Sequence, residues 1–66
     1  MTNNTAHELS QAIRRAIGSG DGRDLDRSLN LADQLGHYEI VNLLTRARRE
    51  DDFRYLGDAL EALGAA

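Results

Sequence analysis

Two pairs of residues in this chain are of the types that acid–base catalysis uses, His7 with Glu8 and His37 with Glu39. Side chains one or two positions apart on a helix do not face each other, so neither pair converges on one substrate atom. No nucleophile accompanies them with a base and an orienting group. We therefore expect no catalytic residue and no enzymatic activity.

Metal and phosphate binding are equally poorly supported by the sequence. Asp21, Asp24 and Asp26 lack the alternating spacing, central glycine and distal glutamate of a calcium loop. The glycine-rich segment 18–22 lacks the lysine of a phosphate-binding loop, so we interpret it as a flexible hinge. The chain contains no cysteine and its two histidines are far apart, so we expect no metal and no cofactor.

The aromatic residue Tyr38 offers a different kind of chemistry, recognition of another protein. At about 100° per residue, Tyr38 lies roughly 160° from the apolar Ile40 on a helix. Packing on a neighbouring helix would explain it, but tyrosine and arginine also dominate interface hot spots. We predict a partner-binding surface formed by Tyr38, Asn42, Arg46 and Arg49.

The elements that position these residues are amphipathic helices. Apolar residues recur at helical spacing over about 6–17, 23–35 and 37–49 and again after Glu50, without any strand pattern. Thr5 with Glu8 has the pattern of a capping box for the first helix. Asp21 is a candidate cap for the second. The predicted fold class is all-α, with three to four short amphipathic helices.

The junction at Gly36 predicts an antiparallel pair made by the second and third helices, because a glycine commonly ends a helix in a left-handed conformation. Asp51 or Asp52 is expected to cap the fourth helix. Mid-helix Gly57 predicts a kink or close packing. The apolar stripes supply the predicted core and dimer contacts, which are Leu9, Ile13, Ile17, Ile40, Leu44, Phe53, Leu56 and Leu60.

The size of the chain predicts self-association. We expect one helical domain over residues 1–66, with 1–5 and 64–66 frayed. A single core in a chain below about 70 residues rarely supplies more than roughly 3–5 kcal/mol. Without disulfides or a metal, a homodimer is the expected source of further stability.

The charge and the hydropathy of the chain limit its possible partners and its location. The net charge is −3, with eight arginines and no lysine, which argues against direct nucleic-acid binding. No apolar run approaches the roughly 20 residues of a membrane span, so we expect no membrane insertion. The first residues lack the pattern of a secretory signal, which predicts a cytoplasmic protein.

Two known motifs partly match the segment around Gly36. An ankyrin-like pattern runs through Leu29, Leu31, Ala32, Gly36, His37, Glu39, Ile40, Val41, Leu43 and Leu44. An ankyrin array needs about three repeats, so we interpret this as the shared pattern of an antiparallel helix pair. Ala32 and Gly36 also have the spacing of a DNA-binding helix-turn-helix. Asn42 and Thr45 stand where that motif needs apolar residues.

The segment L-G-H-Y-E-I-V-N-L-L-T-R-A-R-R-E-D-D-F, with the small acidic helical chain and its exclusive use of arginine, resembles the small early proteins of Mu-like Pseudomonas phages that inhibit host twitching motility and quorum sensing. The resemblance implies a non-enzymatic helical homodimer in the host cytoplasm. It implies partners such as the type IV pilus assembly ATPase or a LuxR-type quorum-sensing regulator. Tyr38 stands where that family is expected to have an aromatic contact residue.

The leading hypothesis is thus a phage-encoded inhibitor that binds a host protein. A transcription-associated protein of helix-turn-helix type is the alternative, and a plain helical oligomerisation module is a third.

Overall fold

Four α-helices follow one another with short connections in the computed structural model, which describes the backbone of residues 2–64 and the side chains of residues 7–64. The helices are α1 (Thr2–Ser19), α2 (Gly22–Leu35), α3 (Tyr38–Glu50) and α4 (Arg54–Gly64). The all-α class is confirmed, with four separate helices and no strand in the described part of the chain. Met1, Ala65 and Ala66 lie outside the described residues, and fraying of the chain ends stays a prediction.

The first helix is longer at both ends than its apolar stripe predicts. It begins at Thr2, so the expected start at the Thr5–Glu8 capping box is wrong. Gly18 and Ser19 continue α1, which leaves only two residues of the expected hinge as a connection. Glycine is a weak helix former, but its cost of about 1 kcal/mol in a helix interior does not by itself end a helix.

Aspartate side chains cap the first turns of the second and fourth helices. The Asp21 carboxylate accepts a hydrogen bond from the backbone N–H of Arg23 at 2.9 Å, which confirms the predicted cap of α2. The Asp52 carboxylate does the same for the backbone N–H of Arg54 at 3.1 Å. Such bonds satisfy amide groups that have no partner within the helix. Of the two candidate caps for α4, Asp52 therefore has this role.

Two residues in the left-handed conformation end α2 and α3. Gly36 has φ 75° and donates its backbone N–H to Ala32 and Asp33, as predicted for a glycine at this position. Asp51 has φ 53° at the end of α3 and is the one non-glycine residue with positive φ in the described backbone. A β-carbon makes this conformation costly, so Asp51 is an unfavourable residue at a corner that glycine would suit.

The helices form a closed ring in which each one packs against two others. Consecutive helices are in contact, and α1 also contacts α4. Asp26, near the start of α2, forms an ion pair with Arg48, near the end of α3. The start of one helix therefore lies beside the end of the other, which confirms the antiparallel arrangement around Gly36.

The core lies between the inner faces of all four helices. Five predicted residues of the core and dimer set are buried, namely Leu9, Ile13, Ile40, Leu44 and Leu56. Phe53 and Leu60 are partly buried and pack on that core. Ile17 is 44% exposed, so it lies outside the buried core, and a dimer contact at this residue stays a prediction. It lies about 80° around α1 from Leu9, at the edge of the apolar stripe.

Two small residues that belong to none of the predicted apolar stripes are buried. Ser28 is fully buried on α2, and its hydroxyl donates to the Asp24 backbone carbonyl at 3.0 Å. Ala59 is fully buried on α4. Both positions fit the helical spacing of the core stripes. Ser28 escaped prediction because its hydroxyl suggests a surface residue, whereas a local hydrogen bond to the backbone makes its burial tolerable.

Candidate partner-binding surface

Tyr38 is the first residue of α3 and is 71% exposed, more than any other large hydrophobic side chain whose burial the structure describes. The sequence left open whether Tyr38 is exposed or packed, and the structure shows that it is exposed. Its hydroxyl makes no hydrogen bond within residues 7–64. Tyr38 therefore offers a large apolar ring and a polar tip without an evident role in the fold of the described chain.

The outer face of α3 carries three further residues in line with Tyr38. Asn42, Thr45 and Arg49 follow it at intervals of four, seven and eleven residues, which places them within about 40° of Tyr38 around the helix. Asn42 and Arg49 are exposed and Thr45 is half-buried. We call these four residues the outer stripe. At about 1.5 Å per residue, it extends roughly 16 Å from Tyr38 to Arg49.

Arg46, the fourth predicted binding residue, lies to one side of this stripe and turns toward α4. Its guanidinium carbon is 5.8 Å from the centroid of the Tyr55 ring, within the range of a cation–π contact. Its Nε lies 3.9 Å from a carboxylate oxygen of Glu50. The structure thus places Tyr38, Asn42 and Arg49 on one line, with Arg46 at its edge.

Tyr55, on α4, contacts both Arg46 and Glu50. Its hydroxyl donates to Oε1 of Glu50 at 3.0 Å. That hydrogen bond to a carboxylate raises the pKa of the Tyr55 phenol above its ordinary value, and burial of the phenol raises it to a smaller extent. Tyr55 is a half-buried residue that connects the end of α3 to α4.

A groove of about 380 Å³ runs along α3 beside the outer stripe. It is lined by Glu39, Asn42, Leu43, Thr45, Arg46 and Arg49. Glu39 and Leu43 were not predicted as part of this surface. Their signal was present in the sequence, because both lie within about 60° of Arg46 around the helix. The groove provides an apolar patch at Leu43 between charged side chains of both signs.

The three arginines in the last turns of α3 have different surroundings. Arg48 pairs with Asp26 of α2, and Arg46 lies over Tyr55. Arg49 makes no ion pair with any side chain of residues 7–64. All three complement the negative end of the helix dipole. Arg49 therefore keeps its planar guanidinium available on the outer stripe.

The residues considered for catalysis do not form a site. His7 Nε2 lies 3.1 Å from the side-chain nitrogen of Gln11, one helical turn away. His37 is the N-cap residue of α3 and makes no capping hydrogen bond through its side chain. No cluster of three or more histidine, aspartate or glutamate side chains within the described residues has metal-binding geometry.

The ion pair between Arg54 and Asp52 belongs to the fold. The Arg54 side chain donates to both carboxylate oxygens of Asp52, at 3.0, 3.2 and 2.7 Å. These hydrogen bonds, with one from the Arg54 backbone, lower the pKa of Asp52 to about 2. The pair fixes the first turn of α4.

A wider depression of about 540 Å³ lies on the outer face of α2. Its lining consists of Arg23, Asp26, Arg27, Asn30, Leu31 and Gln34, all from one helix. Like the groove on α3, it is lined by the side chains of a single helix. Because α2 contains no aromatic residue, we place the candidate site on α3, where Tyr38 is exposed.

The chain matches no known protein family, no curated protein and no solved structure. None of the helices described in residues 2–64 combines the length and apolar character needed to cross a membrane.

Proposed function

We propose that this protein is a non-enzymatic inhibitor encoded by a phage, which acts by binding a host protein through the outer stripe of α3. The observation that carries the proposal is the 71% exposure of Tyr38. Tyrosine is among the residues most enriched at interface hot spots.

The resemblance seen in the sequence supplies the candidate targets. These are the type IV pilus assembly ATPase, whose inhibition would stop twitching motility, and a LuxR-type quorum-sensing regulator. The proposal includes a homodimer in the host cytoplasm, supported by the small core available to 66 residues. It includes no cofactor and no direct contact with nucleic acid.

The arrangement of α2 and α3 favours this proposal over a DNA-binding helix-turn-helix. In that motif two helices meet at about 90–120°. Here the Asp26–Arg48 ion pair joins the start of α2 to the end of α3, so the two helices run side by side. Direct DNA binding is tested in the experiment below.

A binding experiment with purified candidate targets tests the proposal. Wild type, Tyr38→Ala and Tyr38→Phe would be immobilised and exposed to each target. Arg14→Ala is the matched control, because Arg14 is an exposed residue of α1 outside the proposed surface. Loss of a hot-spot residue costs about 2 kcal/mol or more, so we expect Tyr38→Ala to weaken binding at least tenfold.

The control variants give the result its meaning. Tyr38→Phe should retain most of the affinity because the ring remains, and Arg14→Ala should bind like wild type. Failure of wild type to bind either target would refute these partners. Equal binding by wild type and Tyr38→Ala would refute the role of Tyr38. Sequence-specific retention of a DNA duplex at physiological salt would instead support the transcription-associated alternative.

A further inference from the structure

The outer stripe has a direction, because its two ends carry different chemistry. Tyr38 supplies an apolar ring at the first residue of α3, and Arg49 supplies a positive charge near the last. The two lie about 16 Å apart along a straight helix. A partner segment must therefore present an apolar contact and a negative charge at this separation.

The Arg49 side chain indicates a partner with an acidic residue opposite it. The protein as a whole is acidic, yet its neighbouring arginines differ in use. Arg48 is paired with Asp26, whereas Arg49 has no ion pair within residues 7–64. A guanidinium binds carboxylates in a planar, two-pronged geometry, which makes Arg49 a suitable anchor for an aspartate or glutamate.

We propose that the outer stripe binds an amphipathic helix of a partner protein, which runs antiparallel to α3 and carries acidic residues in its first turn. This inference rests on the proposed function and adds the chemistry of the partner. A helix laid along α3 reaches both ends of the stripe, which are roughly 16 Å apart.

The antiparallel direction follows from charge. Acidic side chains are favoured in the first turn of a helix and basic ones in the last turn, because they complement the helix dipole. An antiparallel partner brings its acidic first turn to Arg49 and Arg46. A parallel partner would bring its basic last turn to the same arginines and would be repelled. Glu39, at the opposite end of the groove, favours a basic partner residue there and gives the same orientation.

Two synthetic peptides of equal composition test the direction. The forward peptide is a stapled helix with three glutamates in its first turn, a leucine-rich stripe and lysines in its last turn. The reversed peptide has the same residues in the opposite order. Nuclear magnetic resonance titration would follow the Tyr38 ring protons and the Arg49 Nε–H signal. We expect the forward peptide to bind at least fivefold more tightly and to shift both signals.

Charge reversal separates the anchor from general attraction. Arg49→Glu should remove the difference between the two peptides, whereas Arg14→Glu, which changes the net charge equally, should preserve it. Equal affinity for the two peptides would overturn the inference, as would shifts centred on Arg14 and Arg15. Absence of any shift on α3 would overturn it as well.

Other occupants of the surface give distinct results. Shifts of the same signals on concentrating the protein alone would assign the outer stripe to a second copy and overturn the inference. Shifts caused by a DNA duplex would assign it to nucleic acid and do the same. If the forward peptide binds as expected and no host target does, the inference stands and the proposed function fails. If a target binds through Tyr38 and the peptides are equivalent, the reverse holds.

Discussion

The two tyrosines of this protein show the difference between its structural and its exposed surfaces. Tyr55 donates to Glu50 and lies beneath the Arg46 guanidinium, so its polar and apolar parts both have partners in the fold. Tyr38 is 71% exposed, without a hydrogen bond to the side chains of residues 7–64. The same residue type thus connects two helices at one end of α3 and faces solvent at the other. Surroundings, and not residue type, distinguish a structural residue from a candidate contact.

The largest effect is expected on the inner face of α3. Leu44 is fully buried, so Leu44→Ala leaves a cavity and should lower the free energy of unfolding by about 2–5 kcal/mol. Asn42→Ala, two residues away on the outer stripe, should change it by no more than about 0.5 kcal/mol. Urea denaturation followed by circular dichroism would measure both. Similar losses for the two variants would mean that the outer stripe is part of the fold.

Smaller effects, which are gains in stability, are expected from substitutions at two positions where the residue type does not suit the backbone conformation. Gly57 is inside α4, and a β-carbon there would meet no atom within 4 Å. The close packing expected from the sequence is therefore wrong. Gly57→Ala should stabilise the protein by up to about 1 kcal/mol.

Asp51→Gly should give a gain of similar size, because glycine adopts the left-handed conformation at φ 53° without strain. It also removes a negative charge from the negative end of the α3 dipole. Gly36→Ala, at the other left-handed corner, should destabilise instead. Thermal melting would compare them, and opposite signs at the two corners are the expected result. A loss for Asp51→Gly would show that the aspartate side chain stabilises this corner.

A still smaller effect is expected from pH. The carboxyl of Asp52 has a pKa of about 2 in the folded protein, below its ordinary value of 3.8. Its contribution to stability is therefore complete above about pH 4 and is lost as the pH falls toward 2. The Tm advantage of wild type over Asp52→Asn should shrink over this range. Asparagine keeps the capping oxygen, so an advantage that is independent of pH would assign the effect to something other than the Arg54 pair.

The smallest effect on stability is expected for Tyr38 itself. Because its ring is exposed, Tyr38→Ala should leave the free energy of unfolding within about 0.5 kcal/mol of wild type. Tyr55→Phe is the informative comparison, since it removes the hydrogen bond to Glu50 and should lower the Tm. Equilibrium denaturation of both variants would check this. A large loss for Tyr38→Ala would place Tyr38 in the fold, for instance in a dimer interface.

Helical periodicity and local signals predicted much of this structure, but not the two ends of α1. The antiparallel pair, the Gly36 corner and the Asp21 cap are local features, which explains why the sequence predicted them. The predicted start of α1 was wrong because Thr5 and Glu8 have the pattern of a capping box whether they lie at the start of a helix or inside one. Ile17 lies outside the buried core because burial at the edge of a stripe depends on how far a neighbouring helix reaches.

The candidate site was predictable in part for the same reason. Tyr38, Asn42 and Arg49 share one face of a regular helix, so their alignment follows from spacing alone. The position of Arg46 depends on Tyr55 in another helix, and the sequence contained no sign of that contact. The sequence likewise could not show that Arg48, and not Arg49, forms an ion pair, because this depends on the position of Asp26 on α2. Tertiary neighbours decide which charged residues remain available for a partner.

Chemical modification of the two tyrosines tests the central claim most directly. In the unbound protein, nitration by tetranitromethane followed by mass spectrometry should modify Tyr38 faster than Tyr55. Saturation with a bound host target should slow the modification of Tyr38 at least tenfold and leave the rate at Tyr55 nearly unchanged. An unaltered rate at Tyr38 in the saturated complex would contradict the claim that this residue contacts the partner.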